Sequence, residues 1–316
     1  MTTQTGISPF QAIPGTMLSA LALYSDKITL TASGQGITLD PQKMQNPASR
    51  SMLIDEVRFI AEGNVSTIEY GSFLYARFRI NRQALTRDYT PVWTLGKIHN
   101  FSQGRNSRRV YVYRPPVPIY VPKYSNLQCD LMVDPTAWAT NSGNGSFTFS
   151  VVYVGRQIED NRFQPPQEVD VPWVATFVPP VFTPGVQSPT YKSTANDLSA
   201  PFREDLHVSS MIGRILYGFG DSFITYPAIV NQLTTIKIMS PTGAIVTRDP
   251  TPFGHLFDSI TREWGMNTTL SGNSYLIASV TSDQRQLVAF GPPDTNSMLH
   301  LTMHGYRTVS LHDYMG

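Results

Sequence analysis

One six-residue motif occurs twice in this chain, and the distance between its copies constrains the fold more than any other feature. Thr86-Arg87-Asp88-Tyr89-Thr90-Pro91 matches Thr247-Arg248-Asp249-Pro250-Thr251-Pro252 at a spacing of 161 residues. Ala84-Leu85 before the first copy answers Ile245-Val246 before the second. An earlier match sets Val57-Arg58-Phe59-Ile60 against Gly213-Arg214-Ile215-Leu216 at a spacing of 156, with Pro47 and Pro201 upstream. A later one sets Tyr153-Val154-Gly155-Arg156 against His304-Gly305-Tyr306-Arg307 at 151. Three matches in one order, at nearly constant offset, mark a tandem duplication. Whatever one half folds into, the other should fold into as well.

Each half reads as β-structure. Ile28–Thr31, Val57–Ile60, Phe73–Ile80, Val110–Tyr113, Leu127–Val133 and Phe147–Val154 are the strand candidates of the first half. Phe177–Phe182, Ile212–Tyr217, Thr234–Met239, Tyr275–Thr281 and Met298–Met303 are those of the second. Apolar and polar residues alternate in Phe147–Val154, the period of a half-buried strand. Such runs, with few long helical patterns, argue for sandwiches rather than βαβ units. The 24 Pro and 22 Gly punctuate some sixteen short strands, eight for each half. Gly155–Val171 breaks the pattern with Asp160-Asn161 and Pro165-Pro166 and reads as a linker. The expected organisation is an N-terminal arm over 1–27, a first sandwich over 28–155, a linker over 156–171 and a second sandwich over 172–316.

The repeated motif has a local reading. Thr90 and Thr251 are candidate helix N-caps, with Pro91 and Pro252 at the first helical position. Asp88 and Asp249 lie just before the helix start, where negative charge is favoured. Val92-Trp93-Thr94-Leu95 and Phe253-Gly254-His255-Leu256-Phe257 supply an apolar stripe for one short helix in each half. Arg87 and Arg248 either brace the turn or reach across a subunit boundary.

Composition excludes several functions. A net charge of +1 is far too small for a chain that coats nucleic acid by neutralising phosphates. A single cysteine, Cys129, allows no internal disulfide, and its apolar neighbours Leu127, Leu131 and Val133 suggest a buried small hydrophobe. No apolar run approaches the roughly 18 residues of a membrane span. The basic region of a secretion signal is missing, since no Lys or Arg precedes Lys27. Ser8-Pro9-Phe10-Gln11 reads as a short helix start that Pro14-Gly15 stops. Met17, Leu18, Leu21 and Leu23 then form an apolar stretch that packs on its own domain or lies under a neighbour or on lipid.

Catalytic patterns are missing as well. There is no HExxH, GxSxG or phosphate-loop motif, and Gly34-Gln35-Gly36 reads as a turn. His300 and His304 share a strand face, but no carboxylate of matching spacing lies beside them. Asp55-Glu56 and Glu204-Asp205 are adjacent pairs, which point to opposite faces of a strand and so cannot alone form a two-carboxylate site. Arg105, Arg108 and Arg109 form a small basic patch, a solvated loop, an inter-subunit contact or a weak nucleic-acid contact. Asn64, Asn100, Asn144 and Asn267 head glycosylation sequons that matter only in a secreted eukaryotic protein. No cofactor or metal is expected.

Two β-sandwich halves in tandem, each with a helix after a mid-domain strand, resemble the double jelly-roll major capsid proteins of icosahedral bacteriophages. These belong to the lineage of membrane-containing phages and adenovirus-like coats. The resemblance covers about residues 28–311 and rests on architecture and on the repeat. It implies an all-β fold of two tandem jelly-roll β-sandwiches, each with a short flanking helix. It also implies a structural, non-enzymatic virion protein, made in the host cytoplasm and located in the capsid. Its partners would be itself, as a homotrimer and then a lattice, and penton and minor capsid proteins. The N-terminal segment would face inward, toward any internal membrane, and no sequence-specific nucleic-acid contact is implied. Arg87, Asp88, Thr90, Arg248, Asp249 and Thr251 are the candidate turn and interface residues. Only 15% of residues are charged, against about 25% in ordinary proteins, as suits surfaces buried against neighbours. The alternative is a two-jelly-roll carbohydrate-binding or glycan-processing protein, whose mark would be two converging carboxylates or an aromatic platform.

Overall fold

The computed structural model describes residues 18–25, 28–30, 37–39, 50–62, 70–103, 106–125, 127–133, 147–159, 164–178, 191–192, 198–200, 204–219, 222–224, 234–239, 247, 249–257, 263–272, 274–282 and 298–315. The helix start at Ser8, the Gly34–Gly36 turn, Arg105, Arg248, Asn64 and Asn144 lie outside these residues.

The first sandwich is built from β1 (Leu18–Tyr24), β2 (Ile28–Leu30), β3 (Ile37–Leu39), β4 (Met52–Glu62), β5 (Leu74–Ile80), β6 (Gln83–Ala84), β7 (Thr90–Pro91), the helix α1 (Val92–Leu95), β8 (Lys97–Gln103), β9 (Asn106–Tyr113), β10 (Ile119–Val121), β11 (Leu127–Val133) and β12 (Phe147–Ile158). One sheet has the order β1-β12-β4-β9-β8, with β10 also on β4 and β2 on β12; the other has β3-β11-β5-β6, with β7 on β5. The second sandwich follows with β13 (Glu168–Phe177), β14 (Tyr191–Lys192), β15 (Leu206–Phe219), β16 (Ser222–Ile224), β17 (Thr234–Met239), β18 (Thr251–Pro252), the helix α2 (Phe253–Leu256), β19 (Glu263–Leu270), β20 (Ile277–Ser282) and β21 (Met298–Ser310), and then the helix α3 (Leu311–Met315). Its sheets run β13-β21-β15-β16, with β19 on β15, and β14-β20-β17-β18.

The two halves share one topology. The main strands of the first half are β1, β3, β4, β5, β7, β9, β11 and β12, and those of the second are β13, β14, β15, β17, β18, β19, β20 and β21. Counted within its own half, each half has one sheet in the order first, eighth, third, sixth and another in the order second, seventh, fourth, fifth. That is the jelly roll, in which two Greek-key sheets face each other. The fold is therefore all-β, two jelly rolls in tandem. Among the described residues five further strands, β2, β6, β8, β10 and β16, extend these sheets beyond the expected sixteen; β8 is a full seven-residue strand on β9 and the others are two or three residues long.

Alternation explains the strands. In β5, Leu74, Ala76, Phe78 and Ile80 are buried while Arg77 and Arg79 are half-exposed. Phe78 lies 6.5 Å from the Phe59 ring of β4 and 5.7 Å from the Tyr113 ring of β9, so aromatic contacts tie the two sheets together across the core. β12 lies between β1 and β4, pairing Leu21 with Gly155 on one side and Phe59 with Val151 on the other. Its register to β4 shifts between Val154 and Gly155. There a Cβ on Gly155 would lie 2.0 Å from the Leu53 carbonyl oxygen, so the bulge admits glycine alone.

Several expected boundaries shift. The arm over 1–27 includes β1, which pairs with β12 along its whole length and is the first strand of the first sandwich. Residues 156–158 continue β12 and residues 168–171 open β13, which narrows the stretch expected as a linker. The strand expected at Phe177–Phe182 ends at Phe177, having started nine residues earlier. Strand length was hidden by outward polar residues, such as Asp170 in β13 and Arg156 in β12, which interrupt an apolar run without interrupting a ladder. Tyr275 stands outside β20 in an isolated bridge to Ser199.

By compactness the described residues form two units. One takes in those through Val133, Phe147–Val174 and His304–Met315; the other takes in Ala175–Met303. In the first unit Thr86 forms a parallel bridge to Val174, and the Leu311 amide donates to the Gln167 carbonyl at 2.7 Å. In the second unit Thr176 and Thr302 share a hydrogen bond of 3.0 Å between the hydroxyls of β13 and β21. Gly155→Ala should lower the unfolding free energy by about 3 kcal/mol, because the methyl meets backbone that can yield little. A urea-denaturation midpoint close to that of the parent chain would refute this.

Candidate functional site

The duplicated turn repeats one hydrogen bond, from a buried strand amide to the first threonine of the motif. In the first unit the Phe78 amide donates to Thr86 Oγ1 at 3.0 Å, and the Leu85 amide donates to the Phe78 carbonyl at 2.9 Å. In the second, the Ile238 amide donates to Thr247 Oγ1 at 2.7 Å, and the Thr247 amide donates to the Ile238 carbonyl at 3.0 Å. The first threonine of each motif thus replaces a ladder partner for a buried strand amide. Tyr75 then pairs with Pro91 and Ala76 with Thr90, just as Thr235 pairs with Pro252 and Ile236 with Thr251. Thr90 Oγ1 donates to the Asp88 carbonyl at 3.5 Å and Thr251 Oγ1 to the Asp249 carbonyl at 3.1 Å.

The expected capping role of Thr90 and Thr251 does not hold. Pro91 and Pro252 are the residues at the N-cap, with extended ψ of 131° and 133°, and neither helix has a side-chain cap bond. Both threonines belong to short strands instead. Proline's fixed φ serves an extended residue as well as a first helical one, so the sequence could not separate the two. Asp88 accepts from the Tyr89 amide at 2.7 Å and stays exposed, as does Asp249. The Arg87 amide donates to the Val174 carbonyl at 2.7 Å, and the Val174 amide donates to the Leu85 carbonyl at 3.0 Å. The backbone of Arg87 is therefore fixed while its side chain is half-exposed. Arg77 lies 4.6 Å above the Tyr89 ring, which joins this turn to the sheet face.

Helix packing differs between the copies, and a different glycine makes room in each. Gly213 on β15 would place a Cβ 2.7 Å from the Phe257 ring and 2.8 Å from the Phe253 ring. Those two rings are 4.6 Å apart. The repeat aligns Gly213 with Val57 and Phe257 with Gly96. Gly96 in turn lets α1 approach the Val112 backbone, where a Cβ would lie 2.7 Å from the Val112 carbonyl carbon. Trp93 of α1 is almost wholly buried, and its Cβ lies 2.8 Å from where a Cβ on Gly71 would be.

Charge is resolved within the sheets. Asp130, buried on β11, accepts from Arg77 at 2.8 Å and pairs with Arg79 at 2.9 Å. The bond to Asp130 raises the Arg77 pKa further, against the opposing effect of burial. Asp55 accepts two hydrogen bonds from Arg156, at 2.8 and 3.0 Å. Glu56 is buried, which disfavours its charge, but hydrogen bonds from Arg114 and Arg58 outweigh that and hold its carboxyl below the usual range. The adjacent pair is thus divided between different arginines, and Asp205 accepts instead from the Gly272 amide at 3.3 Å. Cys129 is buried and its thiol pKa is raised by desolvation, as expected of a core residue.

His300 and His304 are both buried on β21. His304 Nε2 donates to the Thr94 carbonyl of α1 at 2.9 Å, so this ring nitrogen is already taken up by the helix. Among the described residues no group of three or more His, Cys, Asp or Glu could hold a metal ion. Arg108 and Arg109 lie on β9, and Asn267 is exposed on β19 with a φ of 47°. The sequence reading missed the polar contacts of residues 304–315. The Ser310-x-x-Asp313 spacing was the available signal, for Ser310 Oγ accepts from the Asp313 amide at 3.1 Å and caps α3.

Thr86→Val and Thr247→Val should each cost about 1–3 kcal/mol, since a buried amide loses its acceptor, while the serine variants retain most of the stability. Urea unfolding of the four variants measures this. Burial lowers the His300 pKa from 6.5 to about 3, so the folded state holds it neutral while the unfolded chain binds a proton. Its contribution is full above pH about 6.5 and falls away toward pH 3, a loss of about 2 kcal/mol by pH 5. Stability measured from pH 7 to 5 should fall less steeply in His300→Gln; an unchanged slope would contradict this assignment.

No family model matches the sequence, and no curated protein matches it. Among solved structures, the chain is similar to the STIV MCP, with 9% identity and a TM-score of 0.49 over 92% of this chain and 96% of that one. It is similar to a chain in the atomic structure of Sulfolobus Turreted Icosahedral Virus, with 10% identity and a TM-score of 0.48 over 94% and 92%. A chain of the Sputnik virophage matches with 9% identity and a TM-score of 0.35 over 92% and 86%.

Proposed function

We propose that this chain is a structural virion protein, the major capsid protein of an icosahedral virus. Three copies would form a trimer of pseudo-hexagonal outline that tiles the shell. The observation that carries this reading is the topology: one polypeptide repeats the same jelly-roll strand order and the same threonine-braced turn. A trimer of such chains presents six nearly equivalent sandwiches, which a hexagonal lattice needs. A jelly roll limits its exposed sheet edges by packing two sheets, and low surface charge suits large shared interfaces. The protein acts by assembling rather than by catalysis. A net charge of +1 gives its faces little hold on packaged nucleic acid, so other components would mediate that contact. Penton and minor capsid proteins would complete the shell, and the N-terminal segment would face an internal membrane where one exists.

In this reading the turn residues Arg87, Asp88, Arg248 and Asp249 lie at subunit boundaries, with Thr90 and Thr251 holding the turns in shape. Sedimentation of the purified chain should show a species of three times the 35.2 kDa chain mass, with a six-cornered outline in electron micrographs. Arg87→Glu combined with Arg248→Glu should weaken that species with the monomer fold intact. A chain that stays monomeric at all concentrations would overturn the assignment, and an undisturbed trimer in the double variant would leave the arginines as turn braces only.

A further inference from the structure

The first unit is discontinuous in sequence. It includes His304–Met315, which comes after every earlier strand of the second half and after the start of β21. This late segment is held by polar contacts to residues more than a hundred positions earlier. Tyr314 is buried, and its hydroxyl donates to the Tyr120 carbonyl at 2.7 Å. Gln83 Nε2 donates to the Asp313 carbonyl at 2.8 Å, and Gln83 Oε1 accepts from Arg307 at 3.1 Å. Asn81 Nδ2 donates to the Met315 carbonyl at 3.2 Å and lies 3.3 Å from Ser125 Oγ. Asn81 adopts a φ of 50° and Tyr124 a φ of 60°, so both turns of this cradle have left-handed backbones. The Arg307 guanidinium lies 5.4 Å from the Trp173 ring centre, and the Leu311 amide reaches the Gln167 carbonyl.

A five-residue helix has no stability of its own, since nucleation exceeds what so few hydrogen bonds return. α3 therefore has its shape only when docked, and Asn81 Nδ2, Gln83 Nε2 and the Tyr120 carbonyl make their bonds to it only then. We propose that Leu311–Met315 is a completion latch. The turns Asn81–Gln83 and Pro122–Ser125, each closed by bonds of its own, reach their full rigidity only after the sequence of the second half has been traversed and the latch has closed. The latch makes the finished form of the first jelly roll conditional on late-made sequence. It holds whether or not the chain assembles into a shell.

The test is amide hydrogen exchange on three proteins: the full chain, Tyr314→Phe and a chain stopped after Ser310. The stopped chain should exchange roughly tenfold faster across Leu74–Ala84 and Ile119–Ser125. Thr234–Met239 and Ile277–Ser282 of the second unit should keep their protection. Tyr314→Phe should show a smaller rise over the same two segments. A synthetic peptide of residues 311–316, added in excess to the stopped chain, should restore part of the protection. Unchanged exchange in the cradle would overturn the latch, as would equal loss across both units in Tyr314→Phe. Should the stopped chain fail to fold, the segment pattern of Tyr314→Phe decides alone. Every readout is made on unassembled protein, so a failed trimer test leaves this result intact.

Discussion

The placement of the last strand between the first and the third is the constraint on which each jelly roll depends. β12 enters between β1 and β4, and β21 between β13 and β15. Before the last strand arrives, its two neighbours have no ladder partner on the facing edges, and their amides and carbonyls look to water. Its arrival satisfies both edges at once and closes the sheet over the apolar face. The loop entropy is large, because Leu21 and Gly155 pair across most of the first half. That cost is offset by burying Phe149, Val151 and Tyr153, none of them accessible to solvent. Gly155 lets this central strand shift register without a clash, so a single missing side chain governs how the whole sheet closes.

Much of this was legible in the residues. The threonine-arginine-aspartate turn located the duplication, and equivalent hydrogen bonds to Phe78 and Ile238 show why: each copy solves the same backbone problem. The strand at Leu127–Val133 was readable because Cys129 and Leu131 keep the inward period. Strand lengths were not, since a ladder is held by backbone and passes straight through Arg156 or Asp170. β1 was hidden in an apolar stretch whose partner lies over a hundred residues away. The fate of Thr90 and Thr251 was ambiguous because proline accepts either backbone state that follows them.

Charge tells the same story from another side. The sequence shows few charged residues and scatters them. The fold gathers many into sets: Arg77 and Arg79 around Asp130, Arg58 and Arg114 around Glu56, Arg156 on Asp55. Asp130 and Glu56 are buried, so each would be costly alone, and each is answered by two guanidinium groups. No local sequence rule pairs residues 53 or 58 positions apart, and only the sheet register brings them together.

The exchange of bulk between the copies has a consequence for how such a chain can change. Val57 and Gly96 in one half occupy the places of Gly213 and Phe257 in the other. Neither glycine tolerates the partner copy's larger residue by itself, because ring or backbone already fills the space. The two halves are thus alike in path but not interchangeable in parts. A helix moved from one half to the other would need its strand contact moved too. Each half therefore carries a crowded glycine of its own, and a part exchanged between them meets a space shaped for something else.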